Sequence, residues 1–363
     1  MIATKVDIVV IGAGQAGLSS AYHLRRMGFA PDRDFVTFDR NRGPGGAWQH
    51  RWPSLTLATA NRVHDLPGLG FGDVINVDAA GKVQAAVAVP QYYAAYEQKF
   101  DLRIRRPVRV ALVSGRGARL RVETDAGVLS ARGIINATGT WERPNIPDIA
   151  GRDRFRGAQL HTSDYRTAGA FAGKHVIVVG AGISAIQLLD EISRVTTTTW
   201  VTRREPRFRE SPFTPEDGRA AVALVEERVR RGLLPGSVVS VTGIPLTPGI
   251  IAMRERGALA RWPMFTEITE RGVRWADGTA RRADVILWCT GFHHALDHFA
   301  PLHLRNKGGG IAMAGRLATQ VAKDPRIHLV GYGPSASTIG ANRAGAAAAR
   351  ELVAHLGMAG PRG

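Results

Sequence analysis

An α/β chain of two Rossmann-like dinucleotide-binding domains, one inserted in the other, is the architecture this sequence predicts. Two glycine turns begin at Gly12 and Gly180, 168 positions apart, and each lies between a short β-rich run and a helix. The chain has 363 residues, enough for two domains at about 150 residues each, and its 44% apolar content supplies the cores.

Val6–Ile11 reads as a buried strand from its length and β-branching. A helix over Ala16–Met27 follows and stops at Gly28, and Phe35–Phe38 is the next strand, completing one βαβ unit. Arg119–Thr124 and Gly133–Asn136 read as further strands, and the proline-bearing stretch Trp141–Pro147 as a linker. The same grammar restarts with a strand at His175–Val179, a helix at Ser184–Ser193 and a strand at Thr198–Thr202. Asp284–Trp288 closes this second unit. Strand Ile327–Gly331 and helix Asn342–Leu356 return to the first domain. The expected boundaries are 1–165 with 290–363 for the first domain and 170–289 for the second.

The first turn, Gly12-Ala13-Gly14-Gln15-Ala16-Gly17, fits G-x-G-x-x-G. Gly12 permits the tight turn, Gly14 lets a pyrophosphate approach the backbone, and Gly17 lets helix and strand pack closely. Gln15 and Ala16 open the helix, whose N-terminal N–H groups favour an anion. Asp39, followed by Arg40, ends the second strand, where a carboxylate binds a ribose hydroxyl. Its distance of 27 from Gly12 exceeds the usual spacing of about 20, and the loop around Pro31–Asp34 accounts for the excess.

The second turn, Gly180-Ala181-Gly182-Ile183-Ser184-Ala185, carries Ala185 in the third place. Its following strand ends in Arg203-Arg204 with no carboxylate at the strand end itself. Guanidinium groups match a 2′-phosphate, which a carboxylate would repel, so this site is expected to take NADPH. Glu205 next door could neutralise one of them, and two solvated arginines are the plainer reading. Two dinucleotide sites in one chain imply electron traffic between two cofactors.

Composition narrows the function further. One cysteine, Cys289, excludes a Cys-x-x-Cys redox pair and a multi-cysteine metal cluster, and no metal is expected. The net charge of +17 is spread over scattered arginines without interleaved aromatics, so no nucleic-acid partner is expected. No apolar run approaches the roughly 20 residues that span a bilayer, and Val6–Ile11 is too short for a signal-peptide core. A cytoplasmic protein with no membrane partner is the expectation.

Further motifs carry a family resemblance. Phe155-Arg156-Gly157-Ala158-Gln159-Leu160-His161-Thr162-Ser163-Asp164-Tyr165 fits F-x-G-x-x-x-H-x-x-x-[YF], and Gly45-Gly46-Ala47-Trp48 resembles a G-G-x-W segment. Ala137-Thr138-Gly139 and Cys289-Thr290-Gly291 resemble the A-T-G segments at domain crossings, the second with Cys in place of Ala. Gly331–Gly345, with Gly333, resembles a C-terminal FAD-capping segment. These motifs span almost the whole chain, which resembles the compact bacterial type of flavin-containing monooxygenase, class B.

The resemblance implies FAD at the first turn and NADPH at the second, with O2 and a small molecule as partners. It implies a C4a-hydroperoxyflavin that gives one oxygen atom to a soft sulfur or nitrogen, in a site that excludes water. Asn61, which would lie over the flavin, and His161 are the candidate catalytic positions; the family role of His161 is domain coupling, and proton transfer is not assigned to it. Trp48 either packs on the flavin or fills core. Baeyer–Villiger relatives carry Trp, then Pro or Asp, where this chain has Tyr165-Arg166. Ketone oxygenation, a reductase without oxygen transfer and a non-enzymatic redox sensor remain open, as do the substrate and the oligomeric state, with which a homodimer is compatible.

Overall fold

The computed structural model describes residues 3–60, 63–78, 81–115, 117–211, 214–236 and 243–358. Its contacts divide the chain into two compact units: Met1–Thr140 with Val222–Gly236 and His294–Gly363, and Trp141–Ala221 with Ser237–His293.

The first unit opens with strand β1 (Thr4–Ile11), helix α1 (Gln15–Arg26) and strand β2 (Phe35–Phe38), close to the expected ranges. Helix α2 (Ala85–Lys99) and strands β3 (Val110–Ser114), β4 (Leu120–Thr124) and β5 (Gly127–Asn136) follow. β1 is flanked by β2 and β5, both parallel to it, and Ile8, Val9 and Val10 are fully buried between the sheet's two faces. Such unbroken Val/Ile runs mark strands covered on both sides.

Helix α2 was not expected from sequence. Pro90 lies inside it and its apolar residues make no strong stripe; Tyr92, Tyr93 and Tyr96 bury completely and hold it in place. Tyr92 donates to the Leu69 carbonyl, Tyr93 to Gln15 Oε1 and Tyr96 to the Pro67 carbonyl, so each buried hydroxyl is satisfied.

In the second unit, β6 (Ala158–His161), β7 (Val176–Val179), helix α3 (Ile183–Ile192) and β8 (Thr198–Thr202) come first. Next are β9 (Phe208–Arg209), helix α4 (Pro215–Arg230), β10 (Ile244–Pro245) and β11 (Arg261–Pro263). β12 (Glu267–Thr269), β13 (Gly272–Arg274) and β14 (Ala280–Arg282) form an antiparallel sheet, and β15 (Val285–Trp288) ends the series. The parallel sheet runs β11-β8-β7-β15-β6. Strand order reverses between β7 and β15, and open α/β sheets bind ligands in the crevice at the carboxyl ends of such a pair.

The chain then returns to the first unit with β16 (Met313–Ala314), β17 (Gln320–Val321), β18 (Asp324–Leu329) and the C-terminal helix Thr338–His355. β18 adds to β5 in parallel, and the C-terminal helix packs on α1. The approach is close: a Cβ on Gly345 would lie 2.7 Å from Ser19 Oγ. No helix among the described residues is long and apolar enough to cross a membrane.

The units differ from the expected boundaries in three places, the shortest being residues 290–293, which fall in the second unit. Residues 141–165 belong with the second unit because β6 pairs with β15, a partner more than a hundred residues away. Residues 222–236, the second part of α4 and its continuation, cluster with the first, where Val229 joins a core with Phe299, Leu304 and Tyr332.

Candidate functional site

The first glycine turn sits at the carboxyl end of β1. Gly12 has φ +97°, and a Cβ there would lie 2.5 Å from the Ala137 carbonyl oxygen. A Cβ on Gly17 would lie 1.8 Å from the Gly12 carbonyl oxygen, so the packing of α1 on β1 demands glycine. Gly14 differs: among the described residues a Cβ would meet only the Gly46 Cα, at 3.9 Å. The chain's own packing gives no reason for glycine there, whereas backbone approach by a pyrophosphate does. Gly14 is also the N-cap of α1 and makes no side-chain cap, so the first-turn N–H groups fit an anion.

Asp39 is 5% exposed at the end of β2. Its Oδ2 accepts from the Ala13 N–H at 2.7 Å and its Oδ1 from the Asn41 N–H at 2.8 Å. These bonds aim the carboxylate at the turn, and each oxygen keeps lone-pair capacity for a ribose hydroxyl. Arg40 beside it is exposed.

The Gln15 side chain is committed elsewhere. Its Nε2 donates to the His64 carbonyl and to Asn342 Oδ1, both at 3.0 Å, and its Oε1 accepts from Tyr93. It pins α1 to α2 and the C-terminal helix, which leaves its backbone N–H for a ligand. Ala16 is buried behind it. Gly46, with φ +52°, lies against Gly14, and Ala47 and Trp48 continue in a short helical turn. Trp48 packs against the core, and the Arg51 guanidinium lies 5.7 Å from its ring.

Ala137-Thr138-Gly139 follows β5. Thr138 Oγ1 donates to the Ala295 carbonyl, Asn136 Nδ2 donates to Thr138 Oγ1, and His298 Nε2 meets Asn136 Oδ1 at 2.9 Å. Gly333 is needed sterically, with φ +60° and a Cβ position 2.9 Å from Val229 Cγ1. Asn61 lies outside the described residues.

The second turn repeats the logic of the first. A Cβ on Gly180 (φ +140°) would lie 2.3 Å from the Cys289 carbonyl oxygen, whereas one on Gly182 would meet none of the described residues within 4 Å. Gly182 is the N-cap of α3, again without a side-chain cap; Ser184 lies half-buried in the first turn and Ala185 is buried. At the end of β8, Arg203 and Arg204 are both exposed, and among the described residues neither forms an ion pair. Thr202 Oγ1 donates to the Arg204 carbonyl and accepts from Arg261 Nε at 2.6 Å. An unpaired pair of guanidinium groups at this strand end fits a phosphate.

The segment from Phe155 to Tyr165 is explained within the second unit. Phe155 packs against its core, and a Cβ on Gly157 would lie 2.4 Å from the Asp284 carbonyl oxygen. The Tyr165 hydroxyl donates to Glu191 Oε2 at 2.6 Å, tying the segment to α3. His161 is 1% exposed. Its Nδ1 accepts from the Ser163 N–H at 3.2 Å, so Nε2 carries the proton and donates to the Gly291 carbonyl at 2.9 Å. Burial holds its pKa below the usual value, against the opposing effects of the Gly291 bond and Asp164. Neutral and doubly bonded, it is a pin on the Thr290–Gly291 turn.

Sequence reasoning missed Asn145, which binds the same turn from the linker: its N–H donates to the Gly291 carbonyl and its Nδ2 to the Thr290 carbonyl. No motif carries it; only the pairing of two distant segments shows it. Cys289 is buried, with its thiol pushed up to about 12 by burial.

Comparisons with known proteins agree with these two cradles. Residues 9–221 match the pyridine nucleotide-disulphide oxidoreductase family. A flavin-containing monooxygenase from Stenotrophomonas maltophilia is 36% identical with a TM-score of 0.80, covering 97% of this chain and 99% of that one. Uncharacterized oxidoreductases of Bacillus velezensis and Bacillus subtilis are 29% and 31% identical over 56% and 52% of this chain. The chain spans about half the length of these two curated relatives. A trimethylamine monooxygenase from Roseovarius nubinhibens is 26% identical over 86% of this chain and 65% of its own. With its two glycine cradles, this chain belongs to the pyridine nucleotide-disulphide oxidoreductases and, among them, to the flavin-containing monooxygenases, which use FAD and NADPH.

Proposed function

We propose that the chain catalyses NADPH- and O2-dependent transfer of one oxygen atom to a soft sulfur or nitrogen of a small molecule. The observation that carries oxygen transfer over disulfide reduction is Cys289. It is the sole cysteine of the sequence, it is buried, and its raised pKa keeps the thiol protonated at neutral pH. Thiol–disulfide exchange needs an accessible thiolate and a partner, and this chain has neither.

Bound FAD and NADPH would supply the reducing equivalents and the O2-activating centre. The chain's residues bind and orient them. Asp39 would hold the FAD ribose, and the first turns of α1 and α3 would receive the two pyrophosphates. Arg203 and Arg204 would take the 2′-phosphate. His161, neutral and pinned, would move no proton; it would hold the Thr290–Gly291 turn. A heteroatom acceptor is supported by Tyr165-Arg166, at the place where the resemblance puts Trp with Pro or Asp in ketone oxygenases, and by the likeness to the trimethylamine monooxygenase.

The test is to reduce the purified protein anaerobically with NADPH and then admit O2 with an alkyl aryl sulfide, a tertiary amine or a cyclic ketone. Sulfoxide or N-oxide formed in proportion to NADPH consumed is the expected outcome. Lactone formation would move the assignment to ketone oxygenation. Hydrogen peroxide as sole product would leave a reductase or oxidase, and a flavin that NADPH does not reduce would refute both enzyme readings.

A further inference from the structure

The Thr290–Gly291 turn lies on one lip of the crevice where NADPH is proposed to bind. β15 and β7 are neighbours whose carboxyl ends flank the reversal of strand order, and the two lips touch at Gly180, where a Cβ would lie 2.3 Å from the Cys289 carbonyl oxygen. The turn is exposed at Gly291, with φ +78°, and a Cβ there would meet none of the described residues within 4 Å. No Cβ contact holds Gly291 itself; Phe292 beside it stacks on Trp141 and meets the His161 ring edge-on, and hydrogen bonds hold the two peptides before it.

Most of those bonds come from Asn145. Its N–H donates to the Gly291 carbonyl at 2.9 Å, and its Nδ2 donates to the Thr290 carbonyl at 3.1 Å. Its Oδ1 meets His293 Nε2 at 3.0 Å, and its own carbonyl accepts from Thr290 Oγ1. With His161 added, the Gly291 carbonyl accepts two N–H bonds and the Thr290 carbonyl accepts from an amide. These bonds turn the Thr290 carbonyl toward the linker and the Gly291 carbonyl toward Asn145 and His161.

We infer that Asn145 is a positioning residue for NADPH. Through Nδ2 it sets the Thr290–Gly291 peptide so that this lip presents no carbonyl oxygen to an anionic nucleotide. The inference rests on the NADPH assignment of the second turn and adds to it a residue that no motif contains. It separates the two arms of the side chain: the Nδ2 arm orients the turn, and the Oδ1 arm only tethers His293.

Three variants of the FAD-loaded enzyme test this through NADP+ affinity and the kinetics of flavin reduction. Asn145→Asp keeps the shape and the His293 arm, removes the donor, and sets a carboxylate against the Thr290 carbonyl. Asn145→Ala removes both arms, and His293→Ala removes only the tether. The expected result is at least a tenfold weaker Kd for NADP+ and a matching rise in KM for NADPH in both Asn145 variants. The rate of reduction at saturating NADPH should change less than threefold, and His293→Ala should bind NADP+ within twofold of the native enzyme. NADP+ affinity within twofold of native in Asn145→Asp, whatever its thermal stability, would overturn the inference. So would an equal loss of affinity in His293→Ala. Should Asn145→Ala fail to fold, the isosteric Asp variant decides alone. Native enzyme that NADPH does not reduce would condemn the NADPH assignment instead.

Discussion

Gly12 and Gly14 are two residues apart, yet the structure predicts opposite failures when each becomes alanine. At Gly12 the new Cβ would sit 2.5 Å from the Ala137 carbonyl oxygen with φ at +97°. A left-handed conformation alone costs an L-residue about 1–2 kcal/mol, and the clash with backbone adds to it. Gly12→Ala should therefore destabilise the apoprotein by about 3 kcal/mol or more. At Gly14 the Cβ would meet, among the described residues, only the Gly46 Cα at 3.9 Å, with φ −80° already suited to alanine. Its cost to the fold is the loss of a preferred N-cap, at most about 1 kcal/mol. The methyl instead would occupy the approach to the α1 N-terminus. Loss of two charge-assisted N–H bonds to pyrophosphate, at about 1.5–3 kcal/mol each, weakens FAD binding at least about 100-fold. The assay pairs thermal unfolding of flavin-free protein with titration of FAD. A Gly14→Ala protein that binds FAD as tightly as native, or that unfolds as readily as Gly12→Ala, would refute the assignment of this turn.

Two more predictions concern charge. Arg203→Gln should lower the NADPH/NADH ratio of kcat/KM by about 10- to 100-fold, the worth of one charge-assisted contact to the 2′-phosphate; an unchanged ratio in steady-state assays would refute that role. His328 is buried with its pKa lowered to about 4, by burial first and by the charge of His355 second, and its Nε2 has no hydrogen-bond partner among the described residues. A histidine kept neutral by the fold contributes stability above its unfolded pKa of about 6.5 and loses it as pH falls toward 4, by up to about 1.4 kcal/mol per pH unit. His328→Phe should flatten the fall in unfolding temperature between those pH values, and a slope identical to native would show that other groups govern it.

What the sequence made legible was whatever depends on neighbours along the chain. The two glycine turns, their strands and the Asp39 position declare themselves because strand, turn and helix are contiguous. Gly157 and His161 were visible as a pattern, but the reason for each lies across the sheet, at Asp284 and Gly291. Helix α2 was illegible because Pro90 sits within it and its stability comes from tyrosines that bond to the Leu66–Leu69 loop and to Gln15. Gln15 read as a ligand position, and only the fold shows its amide engaged by Tyr93 and Asn342. Asn145 was illegible for the same reason: its partners are almost 150 residues further on.

The seating of the C-terminal helix on α1 also orders events in time. Ser19 and Gly345 meet in one close contact, yet the ribosome makes Ser19 more than three hundred residues earlier. At a synthesis rate of about 5–20 residues per second, that interval is tens of seconds. During it β1 and α1 exist as chain, while β18 and the helix that covers them do not. The nascent first unit must wait with its apolar faces exposed, whereas β6 to β15 have all been made before that helix begins. The inserted unit can thus be complete while its host is still open, until residues 338–355 arrive to cover α1.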